Sequence, residues 1–136
     1  VYEPLCVSRN GKLLLELPDE SMPKVYADPA LCRQIFTILL DNAVAYGLGE
    51  DGGRIVLRAK YLHPHVEVSV IDHGPGIPDG EKRLIFDRFY RQDQSRRQKE
   101  HFGLGLSVAA KLAEIQGVEL DVRDTEGGGS TFRVKI

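Results

Sequence analysis

The segment 66–72 limits the possible folds more than any other part of the chain. Val66, Val68 and Val70 share one parity, the two-residue period of a strand with one face against a core. Asp72 has the same parity, so its carboxylate is predicted to point toward the helical layer at the carboxyl end of the strand. The loop 73–78 contains two glycines, which permit unusual dihedrals and close approach of a ligand. Taken alone, a turn capped by Asp72 is the simpler interpretation.

Four more segments alternate in the same way and predict a sheet of about five strands: 13–17, 54–61, 118–123 and 131–136. Leu13, Leu15 and Leu17 predict a half-buried first strand, and the turn at His63-Pro64 indicates an antiparallel pair. One sheet face is predicted to be polar, through Glu67, Ser69, Glu119, Asp121, Arg133 and Lys135. An α/β two-layer sandwich follows, with about three helices on the other face.

The longest helix is predicted to run from Pro29 to about Tyr46. Asp28 supplies an N-cap, Pro29 fits the first helical position, and Gly47 ends the helix. Its apolar positions follow the helical period: Leu31, Ile35, Ile38, Leu39 and Ala43. A second helix is predicted over 104–116, stopped by Gly117.

Asn42 lies within the apolar stripe of the first helix, one turn after Ile38. Burying an amide without partners costs about 1–3 kcal/mol. The side chain therefore has either a satisfied structural role or a ligand to meet, and the sequence leaves both open.

Glycines precede the second helix and the last strand. Gly103 and Gly105 at a helix start would expose backbone N–H groups that favour an anion such as phosphate, although packing explains them equally well. The turn 127–129 is a glycine hairpin.

Composition excludes several classes of protein. The net charge is −2, and the cations of 88–100 are interspersed with acidic residues, so no nucleic-acid partner is indicated. Cys6 and Cys32 have no metal-binding spacing and are predicted to be reduced thiols. We expect one domain over 1–136, excised from a longer protein because no initiator Met is present.

Five motifs in this order resemble the catalytic domain of bacterial two-component sensor histidine kinases. They are the N box at 40–46, the DxGxGIP pattern at 72–78, the F box at 86–91, and the glycine boxes at 101–107 and 127–131. The resemblance implies the Bergerat ATP-binding fold, with a mixed, mostly antiparallel sheet. It also implies ATP and Mg²⁺ as ligands.

The resemblance assigns roles at the base-binding end of the site. Asp72 would accept a hydrogen bond from the adenine amino group, and Tyr46 would pack on the adenine and ribose side. The remaining implied residues let the base lie against the backbone or support its pocket: Gly74, Gly76, Ile77 and Thr131.

At the phosphate end, the resemblance implies that Asn42 coordinates Mg²⁺ and that Arg91 reaches phosphate from a lid over 88–100. Both are expected to serve catalysis. The start of the second helix would close over the phosphates through Gly103, Leu104, Gly105 and Leu106.

The chain departs from the family pattern at three positions. Ile38 replaces a second Asn or a water-activating Glu, which argues against a water-directed ATPase. Ala45 replaces a Lys that contacts phosphate, and His101 replaces the first glycine of its box. A nucleotide-binding regulatory module without transfer activity and an anti-sigma-factor-type serine kinase are the alternatives.

The implied partners are the phospho-acceptor helical domain of the same protein and a response regulator. The fragment is expected to be monomeric and to autophosphorylate little. The parent protein is expected to be a homodimer anchored in the cell membrane, with this domain in the cytoplasm.

Overall fold

The computed structural model describes residues 11–18, 27–48, 53–87 and 105–136. In chain order the elements are β1 (Gly11–Glu16), α1 (Pro29–Tyr46), β2 (Gly53–Leu62), β3 (His65–Asp72), two short 3-10 helices (Asp79–Glu81 and Leu84–Phe86), α2 (Gly105–Gln116), β4 (Glu119–Asp124) and β5 (Ser130–Lys135). No helix in these ranges is long and apolar enough to cross a membrane.

The five strands form one mixed sheet in the order β1-β2-β3-β5-β4. β1 and β2 are parallel, because α1 lies between them in the chain and provides the crossover that a parallel pair needs. The other neighbouring pairs are antiparallel. The predicted α/β two-layer sandwich with a mostly antiparallel sheet is confirmed.

α1 has the bounds that its sequence predicts. Oδ1 of Asp28 accepts hydrogen bonds from the backbone N–H groups of Ala30 (2.8 Å) and Leu31 (3.3 Å), which satisfies two of the free donors of the first turn. At the other end, the Gly47 N–H donates to the Ala43 carbonyl at 2.7 Å.

The hydrophobic core lies between the two α-helices and one face of the sheet. Phe132 packs edge-on against Phe86, with ring centroids 6.2 Å apart. The largest fully buried side chains come from both layers: Phe132, Ile35, Leu39, Ile55, Val70 and Val134. Val70 and Phe132 are register partners, so β3 and β5 point the same alternate residues into the core.

The face of the sheet away from the two described α-helices, called the open face below, is mainly polar, as predicted. Ser69 on this face is nevertheless buried, at 6% exposed, as are its apolar residues Val56 and Ile71. Arg133 forms hydrogen bonds to both carboxylate oxygens of Asp121, at 2.8 and 2.5 Å, and lies 3.6 Å from Glu67. Lys135 lies 3.6 Å from Glu119.

The first strand is less buried than its alternation predicts. Leu13 packs against the core, but Leu15 is 64% exposed and Leu17 is 65% exposed. The half-buried prediction is wrong for these two residues because β1 is one of the two edge strands of the sheet and Leu17 lies one residue past its end. The principal contacts of the helices with the sheet are to β3 and β4.

Candidate functional site

Asp72 is a buried carboxylate at the end of β3, only 5% exposed. It points to the helical side of the sheet, as its parity predicts. Oδ1 accepts hydrogen bonds from the backbone N–H groups of Gly74 and Ser130, both at 3.0 Å. Burial raises the pKa of the Asp72 carboxyl, and the two amide hydrogen bonds oppose that rise. The two amides share Oδ1, so neither of them uses Oδ2.

Three glycines bring backbone segments against Asp72. A Cβ at Gly47 would lie 2.5 Å from the Cβ of Asp72, and one at Gly74 would lie 2.9 Å from the Cα of Gly47. A Cβ at Gly129, where φ is +110°, would overlap the backbone carbonyl of Asp72. The end of α1, the loop after β3 and the β4–β5 turn therefore meet at distances that side chains would prevent.

Gly76 and Ile77 continue the loop that packs beside Asp72. Gly76 has φ +78°, and a Cβ there would lie 3.4 Å from the carbonyl oxygen of Gly129. Ile77 is partly buried against the core. Gly74 and Gly76 thus pack closely against other backbone segments of the protein, and the close approach of a ligand at these glycines stays a prediction.

Asn42 lies on α1 between the start of α2 and the segments that contact Asp72 through Gly47, Gly74 and Gly129, which are called the Asp72 pocket below. It is half-buried, and Tyr46, one turn later, presents its carbonyl 2.9 Å from the Cβ position of Gly74. One turn earlier, Cγ2 of Ile38 lies 3.4 Å from the Cβ position of Gly105. Ile38, Asn42 and Tyr46 therefore form a line along one side of α1. Because Ile38 and Tyr46 are eight positions apart, this line is about 12 Å long.

The start of α2 provides the far end of the site. Gly105 is exposed at the first helical position, and Leu106 is half-buried against the core. Arg91, Gly103 and Leu104 lie outside the described residues, as does the predicted lid.

The prediction for Thr131 needs correction. Thr131 is the register partner of Ile71, and its hydroxyl lies 2.9 Å from that of Thr125. It faces the open side of the sheet, whereas Asp72 faces the helices. The residue beside Asp72 is Ser130, which is 5% exposed and donates its N–H to the carboxylate.

Sequence reasoning missed Ser130 and treated Gly47 only as a helix stop. The signal for Ser130 was available, because it shares parity with the apolar residues Phe132 and Val134, whereas Thr131 does not. Gly47 had no such signal, since its contact with Asp72 joins segments 25 residues apart.

The described residues contain no cluster of three or more His, Cys, Asp or Glu side chains that could hold a metal ion. Mg²⁺ is commonly held by one or two protein oxygens together with substrate phosphates and water. An amide oxygen, such as that of the half-buried Asn42, is a ligand of the kind that such a shared site uses.

The fold agrees with a family comparison. Residues 27–136 match the family described as histidine kinase-, DNA gyrase B- and HSP90-like ATPases. The chain belongs to this ATPase family. Within the family, the relatives described below are sensor kinases.

Two curated relatives illustrate the likeness. The chain is 38% identical to the adaptive-response sensory kinase SasA of Crocosphaera subtropica, over 99% of this chain and 35% of that protein. It is 41% identical to the sensor protein CiaH of Streptococcus pneumoniae, over 82% of this chain and 25% of that protein. The chain thus spans a quarter to about a third of their length.

Solved structures show the same likeness. The catalytic domain of histidine kinase ThkA superposes with a TM-score of 0.83 at 29% identity, over 99% of this chain and 84% of that one. The mycobacterial sensor histidine kinase MprB gives 0.81 at 26% identity, over 98% and 88%.

Proposed function

We propose that this domain binds ATP with Mg²⁺ and transfers the γ-phosphoryl group to a histidine on a separate helical segment of the same protein. The single observation that supports it most is the burial of Asp72 among backbone segments packed at glycine distances. The Asp72 carboxylate would offer a bound base one hydrogen-bond acceptor. The adenine amino group is a donor of the right kind.

The line from Tyr46 through Asn42 to Gly105 supports the orientation of the ligand. With the base at Asp72, the phosphates would extend along α1 toward the start of α2, since the N-terminal end of a helix favours anions. The amide oxygen of Asn42 would then hold Mg²⁺ jointly with the phosphates. Bound Mg²⁺ neutralises charge on the transferred group.

Ile38 supports transfer to an acceptor over hydrolysis. Its side chain lies beside Gly105, at the end of the site assigned to the phosphates. An aliphatic side chain can neither accept a proton from water nor orient it. The domain's own contribution would then be positioning and electrostatic stabilisation of the phosphates.

The acceptor histidine is proposed to lie elsewhere in the protein. The histidines in the described ranges are His63, His65 and His73, all exposed and none in a helix. One similar structure is a histidine kinase bound to a response regulator, at 28% identity and a TM-score of 0.79. A response regulator is therefore the proposed downstream partner, and a membrane-anchored homodimer is the proposed parent.

Thermal unfolding with and without Mg·ATP tests the binding step. Nucleotide at about 100 times its dissociation constant stabilises the folded state by ~2.7 kcal/mol, which raises the melting temperature by several degrees. Asn42→Ala and Asp72→Ala should abolish the shift. Asp41→Ala, an exposed neighbour on α1, is the matched control and should keep it. A wild-type domain without any shift at millimolar nucleotide contradicts the proposal.

The transfer step is tested by adding the phospho-acceptor segment of the parent protein and radiolabelled ATP. Acid-labile label on a histidine supports the kinase. Intact nucleotide binding without label would instead identify a regulatory module, and acid-stable label on a serine of a partner would identify a serine kinase.

A further inference from the structure

Lys82 is a mostly covered cation outside the motifs that sequence analysis identified. It follows the first 3-10 helix, and its side chain is only 18% exposed. A lysine held this far from water in a small domain generally has specific partners.

The ammonium group has three oxygen partners in two different segments. Nζ donates to the carbonyl of Ile77 at 2.8 Å and to Oδ1 of Asp79 at 2.5 Å. It also lies 3.0 Å from Oδ1 of Asp124. Ile77 and Asp79 belong to the loop after β3, and Asp124 is the last residue of β4, so Lys82 joins these segments.

The same two segments form the wall beside Asp72. On one side, Ile77 follows Gly76, whose Cβ position lies 3.4 Å from the Gly129 carbonyl oxygen. On the other side, Asp124 precedes Thr125, whose N–H donates to that same Gly129 carbonyl at 3.0 Å. The two segments therefore contact each other directly, through Gly76 and Gly129, and are also joined through the side chain of Lys82.

We propose that Lys82 is a positioning residue for nucleotide binding, because it holds the loop after β3 against the β4–β5 turn and so fixes the wall of the Asp72 pocket. This inference rests on the proposed function. Lys82 acts through Ile77 and Asp124 and does not itself contact the ligand.

The expected effect is on affinity more than on overall stability. Asp79 and Asp124 have side chains 92% and 68% exposed, and exposed ion pairs contribute little to the free energy of unfolding. Loss of the link would lower the fraction of unliganded molecules whose pocket wall is in place. Apparent affinity falls in proportion to that fraction.

Titration calorimetry with Mg·ATP on Lys82→Met tests the proposal, since Met keeps the aliphatic stem and removes the donor. We expect about five-fold weaker binding. The melting temperature without nucleotide should change by no more than about 2 °C. Lys82→Arg should restore most of the affinity. Lys111→Met, which removes an exposed lysine paired with Glu114 at 3.7 Å, is the matched control and should bind like the wild type.

A second variant separates positioning from a general structural role. Asp124→Asn should weaken binding by a similar factor, and the double variant with Lys82→Met should add little, because both break one link.

Each alternative outcome has a distinct meaning. Wild-type affinity in Lys82→Met overturns the positioning role and leaves the proposed function standing. A large loss of stability that Lys82→Arg does not rescue also overturns it. Absence of nucleotide binding in the wild type overturns the proposed function, and the inference with it.

Discussion

Asp72 and Asp121 lie on opposite faces of the same sheet and are stabilised in opposite ways. Asp121, on β4, faces the open side and accepts two hydrogen bonds from Arg133, which hold the pKa of its carboxyl below the usual range. Asp72 faces the helices, and burial raises its pKa. No ion pair within the described ranges includes Asp72.

We propose that this difference distinguishes Asp121, a structural carboxylate, from Asp72, a carboxylate retained for a ligand. On the open face, acidic and basic side chains pair across neighbouring strands, as Arg133 does with Asp121 and Glu67. On the covered face, the charge of Asp72 is stabilised mainly by two backbone amides. A buried carboxylate without a cation costs folding free energy, and a ligand that binds it gives a reason to retain it.

The largest expected effect is a loss of folding stability at the contact between the backbones of Gly129 and Asp72. Gly129→Ala should destabilise the domain by ~3 kcal/mol or more, because its Cβ would overlap the Asp72 carbonyl and its φ is +110°. Urea unfolding measures this. Gly128→Ala is the control, with φ +115° but open space around the Cβ, and should cost only about 1–2 kcal/mol. Equal losses would show that close packing at Gly129 is unimportant.

The second effect concerns binding. Asp72→Asn should weaken Mg·ATP binding at least about ten-fold, because the amide nitrogen presents donors where the carboxylate offers an acceptor. Asp121→Asn should leave affinity unchanged, since Asp121 lies on the other face. Calorimetric titration of both variants decides, and comparable losses would contradict the division between faces.

The pH dependence of stability should have opposite signs for the two carboxylates. Folding raises the pKa of Asp72, so the folded state binds this proton more tightly than the unfolded state does. The protonated carboxyl therefore contributes stability at low pH, and that contribution is lost as the pH rises through the pKa of the folded state. Asp72→Asn should therefore raise the melting temperature near pH 7, and this gain should vanish below the unfolded pKa of about 3.9.

Folding lowers the pKa of Asp121. Its ionised carboxylate therefore contributes stability above the pKa of the unfolded state, and that contribution is lost as the pH falls through the pKa of the folded state. Asp121→Asn should cost about 0.5–1 kcal/mol near pH 7 and less in acid. Melting curves between pH 3 and 8 test both signs. A destabilised Asp72→Asn variant at neutral pH would contradict this account.

The smallest effect tests the corrected assignment in β5. Ser130→Ala keeps the backbone N–H that donates to Asp72 but removes the hydroxyl of a residue that is 5% exposed, and should weaken nucleotide binding by about two- to five-fold. Thr131→Val keeps the shape and should leave binding unchanged, because its hydroxyl contacts Thr125 on the open face. The reverse result would restore Thr131 as the pocket residue.

Several features followed from local sequence alone. The cap at Asp28 and the stop at Gly47 determine α1, because capping depends on neighbours within one turn. The inward direction of Asp72 followed from its parity with three valines, since strand side chains alternate strictly. The family resemblance supplied the ATPase assignment that the family comparison confirms.

Other features needed the tertiary structure. The exposure of Leu15 depends on β1 being at the sheet edge, which alternation cannot reveal. The contact between Gly47 and Asp72 and the three-way link at Lys82 join segments distant in sequence. The sequence by itself determined which side chains point inward, because periodicity is local. Only the fold decided which of them meet, because that depends on how strands and loops pack against one another.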